Sequence, residues 1–227
     1  MIKNVIFDIG KVLIRFEWME FMDKLFEDEE TKKAVSDAVW QSGYWTELDR
    51  GAMPEEEVFK KLRESAGDYA DAFDKAMDNL NMLVQKTDYA SAWVKELKAK
   101  GYNVYFLSNY SDFIVRSSPD ALEFRKYMDG GVFSFEEKLI KPDRKIFERI
   151  CEKYGLKPEE CLFTDDSQRN VDAARDFGMR AIRFDGYDKM YPVIMKYLEG
   201  PENGEEIADL PGDGLPFDGM DFSKWVK

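Results

Sequence analysis

The sequence predicts an α/β fold: a parallel sheet flanked by helices, with an all-helical block inserted near the start. Three observations predict it. An apolar run with β-branched and aromatic content, Val5-Ile6-Phe7, opens the chain and ends abruptly in Asp8. Strand-like and helix-like stretches alternate from about Tyr89 to Phe184. Between these regions, from about Phe16 to Thr87, apolar residues recur at helical spacing and no strand signal appears.

The first strand is apolar on both faces, as strands buried in parallel sheets are. Gly10 and Lys11 follow Asp8, and apolar residues resume at Val12 and Leu13. The helical block carries one stripe of Trp18, Met19, Phe21, Met22 and Leu25, and another of Ala34, Val35, Ala38 and Val39. Pro54 with Glu55, Glu56 and Glu57 opens a further helix, with proline in the first turn and acids favoured by the helix dipole. Val58, Phe59 and Leu62 supply its buried face.

Alternation then begins. Tyr89 to Lys100 reads as a helix with Trp93, Val94 and Leu97 inward, closed by Gly101. Val104 to Leu107 is a strand ending at Ser108-Asn109. Ile114 to Met128 is partly helical, interrupted by Pro119, and Gly130-Gly131 turns into a short run, Val132-Phe133. After Lys141-Pro142-Asp143, a helix buries Ile146, Phe147, Ile150 and Tyr154 and stops at Gly155. Cys161 to Thr164 is a strand ending at Asp165-Asp166. A helix from about Arg169 to Phe177 and a strand from Ala181 to Phe184 complete the pattern. Such alternation implies right-handed crossovers. We expect residues 1–15 and 88–200 to form the core and 16–87 a helical cap. Residues 201–227 read as an irregular tail, packed on the core through Leu215, Phe217, Phe222 and Trp225.

The 227 residues allow one medium domain, or a core with a smaller insert. No apolar run approaches the roughly 20 residues of a membrane span. A net charge of −13 repels nucleic-acid phosphates and anionic membranes, so neither is an expected partner. Two cysteines, Cys151 and Cys161, are too few for a disulfide framework and read as core residues. No leader is visible before the first strand, and a cytoplasmic location is expected. There are no histidines, which excludes Ser-His-Asp and Cys-His hydrolysis and His-ligated zinc. Catalysis must rest on carboxylates, lysine, hydroxyls and hard metal ions.

Parallel strands place their carboxyl ends on one sheet edge, where ligands bind. Asp8, Ser108-Asn109 and Asp165-Asp166 therefore converge there, with Lys141 on a loop. Each has a plainer reading alone. Asp8 caps a turn, Lys141 is a solvated loop lysine, Asp165-Asp166 caps a helix, and Ser108 is a turn residue.

Taken in this order, these residues resemble the haloacid dehalogenase-like superfamily of phosphohydrolases, over roughly residues 1–190. The resemblance implies a Rossmann-like core with a helical cap of the superfamily's first type. Phe7-Asp8-Ile9-Gly10, with Trp45-Thr46-Glu47-Leu48-Asp49-Arg50-Gly51, is similar within it to bacterial α-D-glucose-1-phosphate phosphatases.

What the resemblance implies is a Mg²⁺-dependent hydrolase of small phosphate monoesters, a sugar phosphate such as a sugar 1-phosphate, working through an aspartyl phosphate. Asp8 would be the nucleophile, and Lys141 would neutralise the phosphoryl group. Ser108 and the Asn109 N–H would hold phosphoryl oxygens. Asp8, Asp166 and the Gly10 carbonyl would ligate Mg²⁺, with Asp165 acting through water or from behind. Trp45, Glu47 and Arg50 are the cap's candidates for substrate contact, and Lys11 either adds charge near the phosphate or faces solvent. The expected partner is a small phosphorylated metabolite, and the expected state a monomer or homodimer.

One position departs from the pattern. Phosphatases of the superfamily usually carry a second aspartate where this chain has Gly10. Glu47, Asp49 or a water could supply its proton transfer. The alternative is a catalytically impaired protein that binds a phosphorylated ligand or a protein partner. A dehalogenase is a third reading, against which the Asp165-Asp166 pair speaks.

Overall fold

The computed structural model describes residues 1–200. The tail expected over 201–227 lies outside the described residues. In chain order, β1 (Asn4–Phe7) leads into β2 (Ile14–Phe16). Five helices follow: α1 (Trp18–Leu25), α2 (Glu29–Trp40), α3 (Tyr44–Arg50), α4 (Glu55–Ser65) and α5 (Ala70–Asp78). Then come β3 (Val84–Lys86), α6 (Ala90–Ala99), β4 (Asn103–Ser108), α7 (Asp112–Ser117) and β5 (Gly130–Phe133). The chain continues through α8 (Ser134–Glu137), α9 (Arg144–Tyr154), β6 (Cys161–Asp165), α10 (Gln168–Phe177), β7 (Arg180–Arg183) and α11 (Tyr187–Glu199).

Five strands form one parallel sheet in the order β5-β4-β1-β6-β7. The expected α/β architecture is therefore present, with β1 at its centre. Val5 and Phe7 point to one face and Ile6 to the other, as period-two alternation requires. On the first face Trp93 of α6 meets Phe7 edge-on at 4.6 Å, with α11 beside it through Met190, Val193 and Ile194. On the second, α9 and α10 bury Ile146, Phe147, Ile150, Val171 and Ala174. Each such side chain contributes about 1.5–3 kcal/mol on full burial.

The helical block continues the first-face core through Phe21, Met22, Val35, Val39, Val58, Leu62 and Phe73. Its base corrects the sequence reading. β2 and β3 pair antiparallel, Ile14 opposite Lys86 and Phe16 opposite Val84, where no strand was expected between 16 and 87. Three residues are too few to display a two-residue period, so only the pairing makes Val84–Lys86 a strand. The short run at Val132-Phe133 likewise becomes a strand, β5, because β4 is there to pair with it. Past Pro119 the chain forms a 3₁₀ segment, Pro119–Tyr127, in place of a continued α-helix.

Among the described residues, no helix is long and apolar enough to cross a membrane. Cys151 and Cys161 are buried free thiols, as core residues would be.

Candidate active site

The register of the sheet builds the site. Phe7 aligns with Phe106 of β4 and Thr164 of β6. One step further on, Asp8 comes beside Asp165, and its N–H donates to the Thr164 carbonyl at 2.8 Å. Ser108 closes β4 and donates to Asp8 Oδ1 at 2.7 Å. The same oxygen accepts from the Ile9 N–H at 2.8 Å and lies 2.9 Å from Lys141 Nζ. Three donors thus fix Oδ1. Among the described residues, no donor reaches Oδ2.

Lys141 is 3% exposed and bridges two carboxylates, with Nζ 2.6 Å from Asp165 Oδ2. Burial acts against its charge, but Asp165 and then Asp8 outweigh it and hold the ammonium above its ordinary value. Asn109 positions this lysine through the main chain: its Oδ1 accepts from the Lys141 N–H at 2.7 Å, and its Nδ2 donates to the Lys141 carbonyl at 3.0 Å. Asp165 has both oxygens occupied. It accepts from the Ser167 N–H at 2.9 Å, from Asn170 Nδ2 at 3.0 and 3.1 Å, and from Lys141. Asp166 is half-buried and faces the cleft. Burial, then the charge of Asp165, raises its carboxyl pKa against the pull of Lys11. Burial, opposed by Lys141, raises the Asp8 carboxyl above the ordinary carboxylate range.

Asp8, Asp165 and Asp166 each offer a carboxylate oxygen, and these atoms lie within 4.8 Å of one another. Oxygen-only donors of net negative charge suit a hard divalent cation such as Mg²⁺. The fit is therefore good.

A cavity of about 190 Å³ opens over this cluster. Asp8, Gly10, Lys11, Ser108, Asn109 and Asp166 line its floor from the sheet edge. Phe16 faces it from β2, Trp40, Trp45 and Asp49 from the helical block, and Tyr110, Ser111 and Ile114 from the segment after β4. Trp40 and Trp45 pack at 5.2 Å and form an aromatic wall. Lys11 is exposed at the rim and holds φ of +58°, a left-handed conformation unusual for a side chain of its kind.

A model of the haloacid dehalogenase-like hydrolases matches residues 2–178. The chain belongs to that family. A protein similar to it is D-ribitol-5-phosphate phosphatase of Bacteroides thetaiotaomicron, 26% identical over 81% of this chain and 92% of that protein. A haloacid dehalogenase-family enzyme from the same organism has the same fold, with a TM-score of 0.68, 26% identity, and coverage of 86% of this chain and 98% of that one. A structure of such an enzyme in complex with magnesium and inorganic phosphate superposes with a TM-score of 0.66 at 23% identity, covering 84% of this chain and all of the other. The chain is also similar to (S)-2-haloacid dehalogenase 4A of Burkholderia cepacia, 28% identical over 41% of each chain.

Within this family member, Asp8, Ser108, Lys141, Asp165 and Asp166 are in mutual reach, with Gly10, Asn109, Lys11 and Trp45 around the same cavity. Two expected contacts are not brought there. Glu47 and Arg50 do not line the cavity; they pair with each other, Nε to Oε1 at 3.2 Å. The reason is helical geometry. Trp45 and Asp49 are four apart in α3 and share the face over the sheet edge, whereas Glu47 and Arg50 are three apart on another face. That spacing from Trp45 was the signal for Asp49. Phe16, Trp40, Tyr110, Ser111 and Ile114 carried no such signal in the sequence.

Proposed function

We propose that this hydrolase is a Mg²⁺-dependent phosphatase of small phosphate monoesters, a sugar phosphate such as a sugar 1-phosphate, acting through an aspartyl phosphate on Asp8. What carries the reading is the convergence of one nucleophilic carboxylate, one buried ammonium and two further carboxylates at the end of the sheet. The phosphatase relative named above supports it, as does the fold shared with a magnesium and phosphate complex. The acidic pair also favours a phosphatase over a metal-free dehalogenase.

Bound to Asp8, Asp166 and the Gly10 carbonyl, with Asp165 behind them, Mg²⁺ would relieve the repulsion between an anionic nucleophile and an anionic ester. The protein's own groups do the rest. Ser108, Ile9 N–H and Lys141 hold Asp8 Oδ1, which aims the carboxylate into the cavity. The carboxylate attacks phosphorus and forms an acyl phosphate, which water then hydrolyses. Lys141 offsets the charge gathering on the phosphoryl group, and Asn109 keeps that lysine in place. The aromatic wall of Phe16, Trp40 and Trp45 offers apolar faces to the carbon body of a small metabolite and excludes water. We read the protein as cytoplasmic, a monomer or homodimer, with residues 16–87 as its cap.

Phosphate release from sugar 1-phosphates, sugar 6-phosphates, nucleotides and phosphoserine, with Mg²⁺ and with EDTA, tests the reading. Release that needs Mg²⁺ and disappears in Asp8→Asn is expected, fastest on sugar 1-phosphates. Binding of these esters without turnover would favour the alternative, an impaired protein that holds a phosphorylated ligand.

A further inference from the structure

Phosphoryl transfer from an alkyl ester leaves an alkoxide that needs a proton, and the water of the second step must lose one. Gly10, beside the nucleophile, carries no group for this. Of the carboxyl and ammonium side chains lining the cavity, Asp8 is the nucleophile, Asp166 faces the acidic cluster, and Lys11 sits exposed at the rim. Burial, and then the charges of Asp49 and Asp8, push the Tyr110 phenol above its ordinary value, so it keeps its proton. Asp49 remains, lining the same cavity as Asp8 from helix α3.

Asp49 is held firmly. Its carbonyl accepts from Ser134 Oγ, and Lys138 Nζ donates to the Gly51 carbonyl two residues on. Gly43 and Gly51 bracket the helix in left-handed conformations, φ +79° and +63°. Gly51 lies so close to the core that an added Cβ would come 2.8 Å from the Phe135 carbonyl oxygen. The helix is thereby pinned over the site. Among the described residues, the buried Tyr110 hydroxyl has no hydrogen-bond partner, and it lies near enough for the Asp49 charge to act on it.

We propose that Asp49 is the general acid and base of this enzyme, standing in from the helical block for the group that Gly10 lacks. The proposal rests on the phosphatase reading above. In the first step an Asp8 oxygen bonds to phosphorus, the ester P–O bond breaks, and the Asp49 proton passes to the departing oxygen, giving an alcohol. In the second, the Asp49 carboxylate takes a proton from water as that oxygen bonds to phosphorus. The bond from phosphorus to Asp8 breaks, leaving phosphate, free Asp8 and protonated Asp49. Burial, then the charge of Asp8, pushes Asp49 up to about 7, which suits both duties near neutral pH.

Stopped-flow kinetics with Mg²⁺ on Asp49→Asn test this, using an alkyl ester (a sugar phosphate) and p-nitrophenyl phosphate. The phenolate departs without a proton. The alkyl ester should lose about 10²–10⁴-fold. The aryl ester should show a burst of p-nitrophenol within about tenfold of the wild-type first step, followed by slow turnover. The backbone at Gly10 is open, with no atom within 4 Å of an added Cβ, so Gly10→Asp in the Asp49→Asn background should restore alkyl turnover at least tenfold. Equal losses in the first step for both esters, or no loss for either, would overturn the assignment to Asp49. No release by the wild type, or full release by Asp8→Asn, would overturn the phosphatase reading and this proposal with it.

Discussion

Lys141→Met removes one buried charge and keeps an unbranched stem. The wild-type ammonium lies 2.6 Å from Asp165 and 2.9 Å from Asp8, and all three side chains are nearly inaccessible. At an effective dielectric near 20, charges at those separations attract by roughly 6 kcal/mol apiece before desolvation is counted. Desolvation offsets most of that, but removing one partner of a buried pair still costs about 3–5 kcal/mol, because the other charge is left without compensation. A domain of this size loses about 2–4 °C in Tm per kcal/mol, so the expected fall is about 6–20 °C. Thermal unfolding followed by circular dichroism, near neutral pH in EDTA, measures it. The deficit should grow as pH rises, since the orphaned carboxylates accept protons at low pH and lose them at high pH. Mg²⁺ at a hundredfold excess over its Kd should return about 2.7 kcal/mol. A fall below about 3 °C in EDTA would refute the view that this ammonium balances the cluster.

Gly51→Ala forces a Cβ against the Phe135 backbone at a φ of +63°, so a loss of about 1–3 kcal/mol is expected. Because the clash lifts the helix carrying Asp49, kcat should fall at least tenfold in protein that is still folded by circular dichroism. Lys11→Gly relieves a left-handed lysine, worth about 1–2 kcal/mol, against about 0.5–1 kcal/mol of added chain entropy. Urea midpoints should therefore be equal or slightly higher, while KM for the phosphate ester rises with loss of the rim charge. The raised pKa of Asp49 sets a sign for stability. Its neutral form favours the fold, so that contribution is full below about pH 4 and is lost as pH rises through about 7. Asp49→Asn should flatten that dependence in urea titrations. It should be more stable than wild type well above pH 7 by about 2 kcal/mol, half the nominal value because the side chain is only half-buried. Matching pH profiles for the two proteins would contradict the assigned shift.

The sequence by itself determined the sheet and the ends of its strands. Val5 to Phe7, Val104 to Leu107 and Cys161 to Thr164 are apolar on both faces, so each must be interior, and each polar residue that follows must lie at the sheet edge. Asp8, Ser108 and Asp165-Asp166 were legible for that reason, and Lys141 followed from its order among them. The tertiary structure alone decided which residues of the helical block complete the cavity. The β2–β3 pairing is too short to leave a period. Trp40 and Phe16 reach the cavity from separate elements, 24 positions apart in the chain. The face that α3 turns to the sheet edge is set by Gly51 and Ser134 contacts formed across more than 80 residues. Local periodicity fixes which residues are interior, but only long-range packing fixes what a short helix points at, and here it points Asp49, not Glu47 or Arg50.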